Sequence, residues 1–145
     1  MRGMCLAVML LAASGPRASA DDAQAPWKAP EDARKVKRPV EVTGEGLAAA
    51  RKLYERKCAA CHGPKGASNG PQAAGLPTPP ANLSDEKMIR KASDGELFWK
   101  ISTGRDGMPS FEPQLTDTQR WLLVNYVRDL SARSQYRYLG VHRAR

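Results

Sequence analysis

The chain has 145 residues and a formal net charge of +8, with 41% hydrophobic and 26% charged residues. This length allows one domain of ordinary size and leaves little room for a second. The positive charge does not indicate nucleic-acid binding, because no stripe of basic residues with interleaved aromatic residues runs through the central part of the sequence.

The first residues have the pattern of a secretory signal peptide. Arg2 precedes an apolar run from Met4 to Ala13, and the small residues Ala18–Ala20 stand before Asp21. The pattern predicts a signal peptide over residues 1–20, with cleavage after Ala20 and export, most simply to a bacterial periplasm. A permanent anchor is the less favoured alternative, because the apolar run is too short to span a bilayer.

Residues 21–43 have the composition of a leader or linker. They contain three prolines, charges of both signs and few apolar residues. This composition favours a solvated, extended arm. The alternative is that Trp27 and the pair Val40 and Val42 dock on the domain or on a partner.

The predicted domain, residues 44–131, opens with a helix over Gly46 to Cys58. Leu47, Ala50, Tyr54 and Cys58 recur at helical spacing, with charged residues between them. The helix leads directly into the segment Cys58-Ala59-Ala60-Cys61-His62.

That segment has the spacing of a c-type haem attachment site. On one helical turn, the thiols of Cys58 and Cys61 can each form a thioether with one haem vinyl group, and His62 can bind the iron through Nε2. The competing interpretations are weak. A structural zinc site needs four ligands, a thioredoxin-like pair needs a βαβ pattern, and a Cys58–Cys61 disulfide closes too small a loop to hold a fold together.

Three further helices follow, and none of the sequence alternates convincingly at the period of a strand. Ser84 to Glu86 starts a helix that carries Met88 and Ile89, and Ser93 to Glu96 opens one that Gly104 ends. Thr116 and Gln119 form a capping box before a long amphipathic helix to Leu130. These patterns predict an all-α domain of three to five short helices around one haem. Residues 132–145 are predicted to be a basic tail.

A second iron ligand is expected from across the haem. Met108 lies on a loop between two helices, after Gly107 and before Pro109, where a thioether can be held against the iron. Met88 and His142 are the alternatives, and Met88 is better explained as a core residue of its helix.

The segments Cys58 to Gly63, Met108-Pro109 and Trp121 to Arg128 resemble those of class I c-type cytochromes, in the same order along the chain. The likeness extends over roughly residues 46–130. It implies the cytochrome c fold and a single covalently bound haem c.

The resemblance also implies roles for further residues. The carbonyl of Pro80 is the first choice to accept from His62 Nδ1–H, with Pro79 and Pro77 behind it. Haem packing is implied for Leu83, Phe98, Ile101 and Phe111, and contact with the haem propionates for Trp99 and Arg105. Ala50 is expected where the two terminal helices cross.

The sequence therefore predicts a periplasmic carrier that moves single electrons between redox-partner proteins and is not itself an enzyme. One alternative is an electron-accepting subunit of a periplasmic dehydrogenase or reductase. A less favoured alternative is a haem sensor or peroxidase-like protein with an open sixth position. No nucleic-acid partner and no membrane span in the mature chain are expected.

Overall fold

The computed structural model describes residues 27–138, with side chains to residue 135. The predicted signal peptide, its cleavage site, His142 and the last part of the tail lie outside the described residues. Within residues 27–138 there are six helices, one 3-10 turn and no strand, so the all-α prediction is confirmed for this part of the chain. The helices are α1 Glu31–Lys35, α2 Gly44–Lys57, α3 Ala59–His62, α4 Glu86–Lys91, α5 Asp94–Thr103 and α6 Asp117–Tyr138, and the turn is Ala73–Gly75.

Helices α2 and α6 cross and form the larger part of the core. Thr43 caps α2 by accepting from the Gly46 N–H at 3.0 Å, which explains why the helix begins before the predicted Gly46. Ala50 is fully buried at the predicted crossing. It shares one hydrophobic cluster with Leu53 and Tyr54 of α2 and with Leu123, Tyr126 and Leu130 of α6.

Helix α6 is longer than the sequence analysis predicted. The capping box is present, because the Thr116 N–H donates to Gln119 Oε1 at 2.9 Å and the Gln119 N–H donates to Thr116 Oγ1 at 3.2 Å. The helix then continues to Tyr138, so the proposed domain boundary at residue 131 falls inside it. No glycine or proline occurs between Leu130 and Gly140 to end it earlier.

Helices α4 and α5 each begin at a side-chain cap. Asp85 accepts from the Met88 N–H at 3.0 Å, and Ser93 accepts from the Glu96 N–H at 3.1 Å. Helix α5 ends at Gly104, whose φ of 63° is in the left-handed region. Both helices pack on α6 and so form the second wall of the domain.

Residues 27–43 are not a solvated arm, contrary to the favoured interpretation of their composition. We call this segment the N-terminal strap. It contains α1, which packs on α5, and Ala29 is only 4% exposed. Val40 packs against the cluster of α4, α5 and α6 residues, and Arg38 Nη1 donates to Asn125 Oδ1 at 2.7 Å. Composition missed the strap because its contacts join residues far apart in the chain.

Candidate functional site

The two cysteines and His62 lie where α2 passes into α3. Cys58 ends the first helix and precedes the second, and its carbonyl accepts from the His62 N–H at 2.9 Å. Gly63 ends α3 with a φ of 81°. Its carbonyl accepts from the buried Tyr54 hydroxyl at 2.8 Å, which fixes the end of the motif against α2. Cys58, Cys61 and His62 consequently line the same cleft.

This cleft has a volume of about 470 Å³, within the range of cofactor pockets. It lies between α2 and α3 on one side and α4, α5 and the loop before α6 on the other. Its wall is mainly apolar, and the apolar residues include Leu76, Leu83, Ile89, Leu97, Ile101, Phe111, Leu123 and Val127.

His62 is held by a backbone carbonyl, but by a different one from that predicted. Its Nδ1 lies 2.9 Å from the carbonyl oxygen of Ala81. Pro80 was the expected acceptor, and this assignment is wrong by one residue, because the Pro80 carbonyl instead accepts from the Ser68 hydroxyl. Pro80 and Pro79 still line the cleft, and Pro77 does not.

The Ala81 contact also fixes which imidazole nitrogen can bind a metal. With Nδ1–H donating to Ala81, Nε2 is left as the nitrogen with a free lone pair. Burial lowers the pKa of His62, and the hydrogen bond to Ala81 opposes this only in part. The imidazole is therefore neutral near pH 7, and the neutral form is the one that binds a metal.

Met108 reaches the cleft on a closed turn. The Arg105 N–H donates to the Met108 carbonyl at 3.0 Å and the Met108 N–H donates to the Arg105 carbonyl at 2.9 Å. Between them Asp106 has a φ of 52°. A Cβ on Gly104 would lie 2.5 Å from the Met108 carbonyl oxygen, so only glycine allows the turn to approach the end of α5. Met88 also lines the cleft, although it is 37% exposed.

Most of the residues predicted to surround the haem are brought together. Leu83, Ile101, Arg105 and Phe111 line the cleft with Cys58, Cys61, His62 and Met108. Arg105 pairs with Asp106 at 3.2 Å at the rim.

Phe98 and Trp99 do not line the cleft, and their predicted contacts with haem are corrected. Phe98 stacks on Trp121, with ring centroids 4.2 Å apart. Trp99 packs against Trp27 instead, with ring centroids 6.3 Å apart. The reason is helical geometry, since Leu97 and Ile101 are four residues apart and face the cleft together, which turns Phe98 and Trp99 away from it.

Sequence reasoning missed several residues of the wall. Tyr54 precedes Cys58 by one helical turn, so its place in the stripe of α2 could have shown that it reaches the cleft. Trp27 was named only as a residue that could dock on the domain or on a partner, and its isolated place in a polar segment gave no signal that it reaches the cleft. Lys100 also lines the cleft and pairs with Glu96 at 2.6 Å.

The chemistry of the donor set fits a covalently attached haem. The two thiols remain unpaired with each other, on one helical turn and against a mainly apolar wall. Burial, and then the neighbouring Cys61, raises the pKa of Cys58 to about 12, so this thiol is uncharged in the cleft near pH 7. An apolar cleft with two thiols, one neutral imidazole and a thioether suits a porphyrin iron better than a free ion.

A cluster of metal-binding side chains and a membrane-spanning helix are both absent from the described part of the chain. Over residues 27–138, no group of three or more His, Cys, Asp or Glu side chains is placed to hold a metal ion. In the same range, no helix combines the length and apolar character needed to cross a membrane.

Comparison with known proteins agrees with the geometry. Residues 45–127 match the family model described as cytochrome C oxidase, cbb3-type, subunit III. A solved structure, the Kuenenia stuttgartiensis reducing HAO-like protein complex Kustc0457/Kustc0458, contains a chain 32% identical to this one, with a TM-score of 0.56. The match covers 63% of this chain and 46% of that chain, so it spans less than half of the longer protein.

The matched range includes the two cysteines, His62, the Met108 turn and the crossing of α2 with α6. A cytochrome c domain is an electron-transfer module and is not itself catalytic. The chain belongs to the family of cytochrome c domains represented by subunit III of cbb3-type oxidases, and it is a monohaem c-type cytochrome whose haem c is bound covalently at Cys58 and Cys61.

Proposed function

We propose that this protein carries single electrons between redox proteins, with His62 and Met108 as the two axial ligands of its haem iron. The observation that carries the proposal is that the hydrogen-bonded turn of residues 105–108 presents Met108 to the cleft that His62 lines. When bound, the haem supplies an iron that alternates between Fe(III) and Fe(II).

The residues of the cleft favour the reduced state. A methionine thioether is a soft ligand, and His/Met ligation raises the potential of c-type haems. The apolar wall disfavours the additional charge of the ferric state in the same direction. With an imidazole and a thioether both engaged, no position remains for a substrate, which is the reason to expect electron transfer without catalysis.

Substitution of Met108 tests the ligand assignment, and Met88 supplies the matched control. Both methionines line the cleft. We expect Met108→Ala to lower the midpoint potential, to abolish the ferric methionine-to-iron absorption band and to let carbon monoxide bind the reduced protein rapidly. Met88→Ala should leave all three close to those of the unsubstituted protein.

Two outcomes would contradict this assignment. If the methionine band survives in Met108→Ala and disappears in Met88→Ala, the ligand is Met88. If the unsubstituted protein already binds carbon monoxide rapidly, the sixth position is open, and a haem sensor or peroxidase-like role takes the place of the carrier.

The charges around the cleft favour acidic redox partners. Lys57 and Arg105 line it, and Lys65 is exposed on the loop after His62. Such charges steer brief encounters and lose their effect as salt screens them. Electron-transfer rates with an acidic partner should therefore fall as ionic strength rises, and a constant rate would exclude this docking mode.

A second candidate is a haem c subunit that accepts electrons inside a periplasmic dehydrogenase or reductase complex. It is favoured by the likeness to a chain of the reducing HAO-like protein complex. Purification of the native protein from a periplasmic extract distinguishes the two candidates. A free carrier elutes alone, a subunit elutes with a stoichiometric partner, and export with cleavage after Ala20 predicts Asp21 as the first residue of either.

A further inference from the structure

The N-terminal strap lies outside the family domain and yet reaches the haem cleft. The family match begins at residue 45, after the strap has ended. Trp27, the first residue that the structure describes, lines the cleft together with Cys58 and His62. Nothing in the family domain therefore accounts for this part of the wall.

Close backbone packing holds the strap on α5. A Cβ on Gly95 would lie 2.0 Å from the carbonyl oxygen of Ala33 and 2.9 Å from that of Val36. Such distances are far below van der Waals contact, so α1 can pack here only because residue 95 is glycine. The neighbouring Ala29 is buried at 4% exposure.

Polar contacts hold the far end of the strap on α5 and α6. Arg38 donates to Asn125 Oδ1 at 2.7 Å and lies 3.6 Å from Asp94. The Asn125 side chain in turn donates to the Glu41 carbonyl at 3.4 Å, and Asn125 is only 2% exposed. The strap is therefore fixed at both ends, which leaves Trp27 little freedom to leave the cleft.

Trp27 itself is held from two sides. Its ring packs at an angle of 56° against Trp99, which does not line the cleft. On the cleft side, the Lys100 ammonium lies 5.4 Å from the centroid of the Trp27 ring. Because Lys100 also pairs with Glu96, the indole forms part of an ordered rim.

We propose that Trp27 is a haem-contacting residue that the strap positions over the cofactor, where it limits the access of water and so raises the potential. Removal of the indole lets water approach the porphyrin, and water stabilises the ferric charge. The inference rests on haem c in this cleft, and it does not depend on which methionine is the axial ligand.

The test compares four full-length holoproteins: unsubstituted, Trp27→Ala, Trp27→Phe and Val42→Ala. Val42 lies on the strap, is 52% exposed and does not line the cleft, so it is the matched control. We expect the midpoint potential to fall in Trp27→Ala, to be largely restored in Trp27→Phe and to stay unchanged in Val42→Ala. The ferric methionine band should persist throughout, which separates this effect from loss of the ligand.

Gly95→Ala provides a second and independent variant. Its added methyl group displaces α1 from α5, so we expect a fall in potential in the same direction as that of Trp27→Ala. Once Trp27 is absent, the same glycine substitution should add little. If the potential of the double variant Gly95→Ala/Trp27→Ala falls by the sum of the two single effects, Gly95→Ala does not act through Trp27. That result would overturn the assignment to Trp27.

Proximity is measured separately by nuclear magnetic resonance on isotope-labelled holoprotein. The indole N–H signal of Trp27, identified by its loss in Trp27→Phe, should shift between the ferric and ferrous states more than the backbone amide of Val42. The proposal fails if this shift is no larger than that of Val42, or if the potential of Trp27→Ala equals that of Val42→Ala.

Discussion

Gly70 lies against the attachment motif with no space for a side chain. A Cβ at this position would be 2.3 Å from the carbonyl oxygen of Ala60. The Gly70 N–H donates to the Cys61 carbonyl at 3.1 Å, and two residues later the Gln72 N–H donates to the Ala60 carbonyl at 2.8 Å. The accepting carbonyls are ones that have no hydrogen-bond partner within α3. The loop that contains Gly70 and Gln72 therefore packs on the attachment motif from outside the cleft.

We expect Gly70→Ala to lower the free energy of unfolding of the holoprotein by ~1–3 kcal/mol, because the loop must move off α3. Gly75→Ala is the control, since no atom lies within 4 Å of a Cβ there. It should be neutral or slightly stabilising. Denaturant unfolding followed by far-ultraviolet circular dichroism measures both, and equal effects of the two substitutions would show that the clash is relieved without cost.

At the same scale, the haem-attachment residues were predictable from spacing, but their partners were not. Cys58, Cys61 and His62 are adjacent in sequence, so one helical turn determines how they are placed. The acceptor for His62 depends on the path of a proline-rich loop, and a shift of one residue moves it from Pro80 to Ala81. Neither helical period nor residue type specifies that path.

At the scale of elements, one side chain of α6 joins three parts of the fold. Arg128 Nε donates to Asp94 Oδ1 at 2.9 Å, and its Nη2 donates to the Ala92 carbonyl at 2.6 Å. Its Nη1 donates to the carbonyl of Ile89, near the end of α4. The guanidinium therefore hydrogen-bonds to the end of α4 and to the start of α5 at the same time. The planar arginine group, with several N–H donors in a rigid arrangement, suits these positions.

We expect Arg128→Lys to destabilise the protein by about 1–3 kcal/mol, because an ammonium group cannot reach all three acceptors. Arg133→Lys is the control on the same helix. Arg133 is exposed and pairs only with Asp129 among the ion pairs of the described residues, at 2.7 Å, so its replacement should cost less than about 0.5 kcal/mol. If both variants unfold at the same denaturant concentration, Arg128 does not join the elements as described.

Side-chain caps made most of the helix starts predictable from the sequence. The side chains of Thr116 and Ser93 mark helix starts that the structure confirms. The strap was missed because short, charged and proline-containing segments give no periodic signal. Its packing depends on the absence of a side chain at Gly95, more than fifty residues beyond α1 in the chain.

At the scale of the whole molecule, the cofactor adds an apolar centre to the two hydrophobic clusters that the helices form. The cleft of about 470 Å³ separates the two walls of the domain. Without the porphyrin, the apolar residues that line this cleft are exposed to water, and a small domain has little other burial to offset that loss.

We therefore expect the double variant Cys58→Ser/Cys61→Ser, made without attached haem, to lose its cooperative unfolding transition. Among the helices of the described residues, α2 and α3 are joined to α4 and α5 through α6 and do not contact them directly, so the porphyrin supplies the remaining link across the cleft. Calorimetry of this variant beside the holoprotein checks the prediction. A cooperative transition at a similar temperature in the haem-free variant would show that the polypeptide folds without its cofactor.

The position of Trp27, at the start of the strap, has a practical consequence for fusion proteins. Because Trp27 lies at the cleft, a tag or reporter domain joined just ahead of it starts beside the rim of the haem cleft. Such an attachment is expected to obstruct encounter with redox partners even when the spectrum is normal.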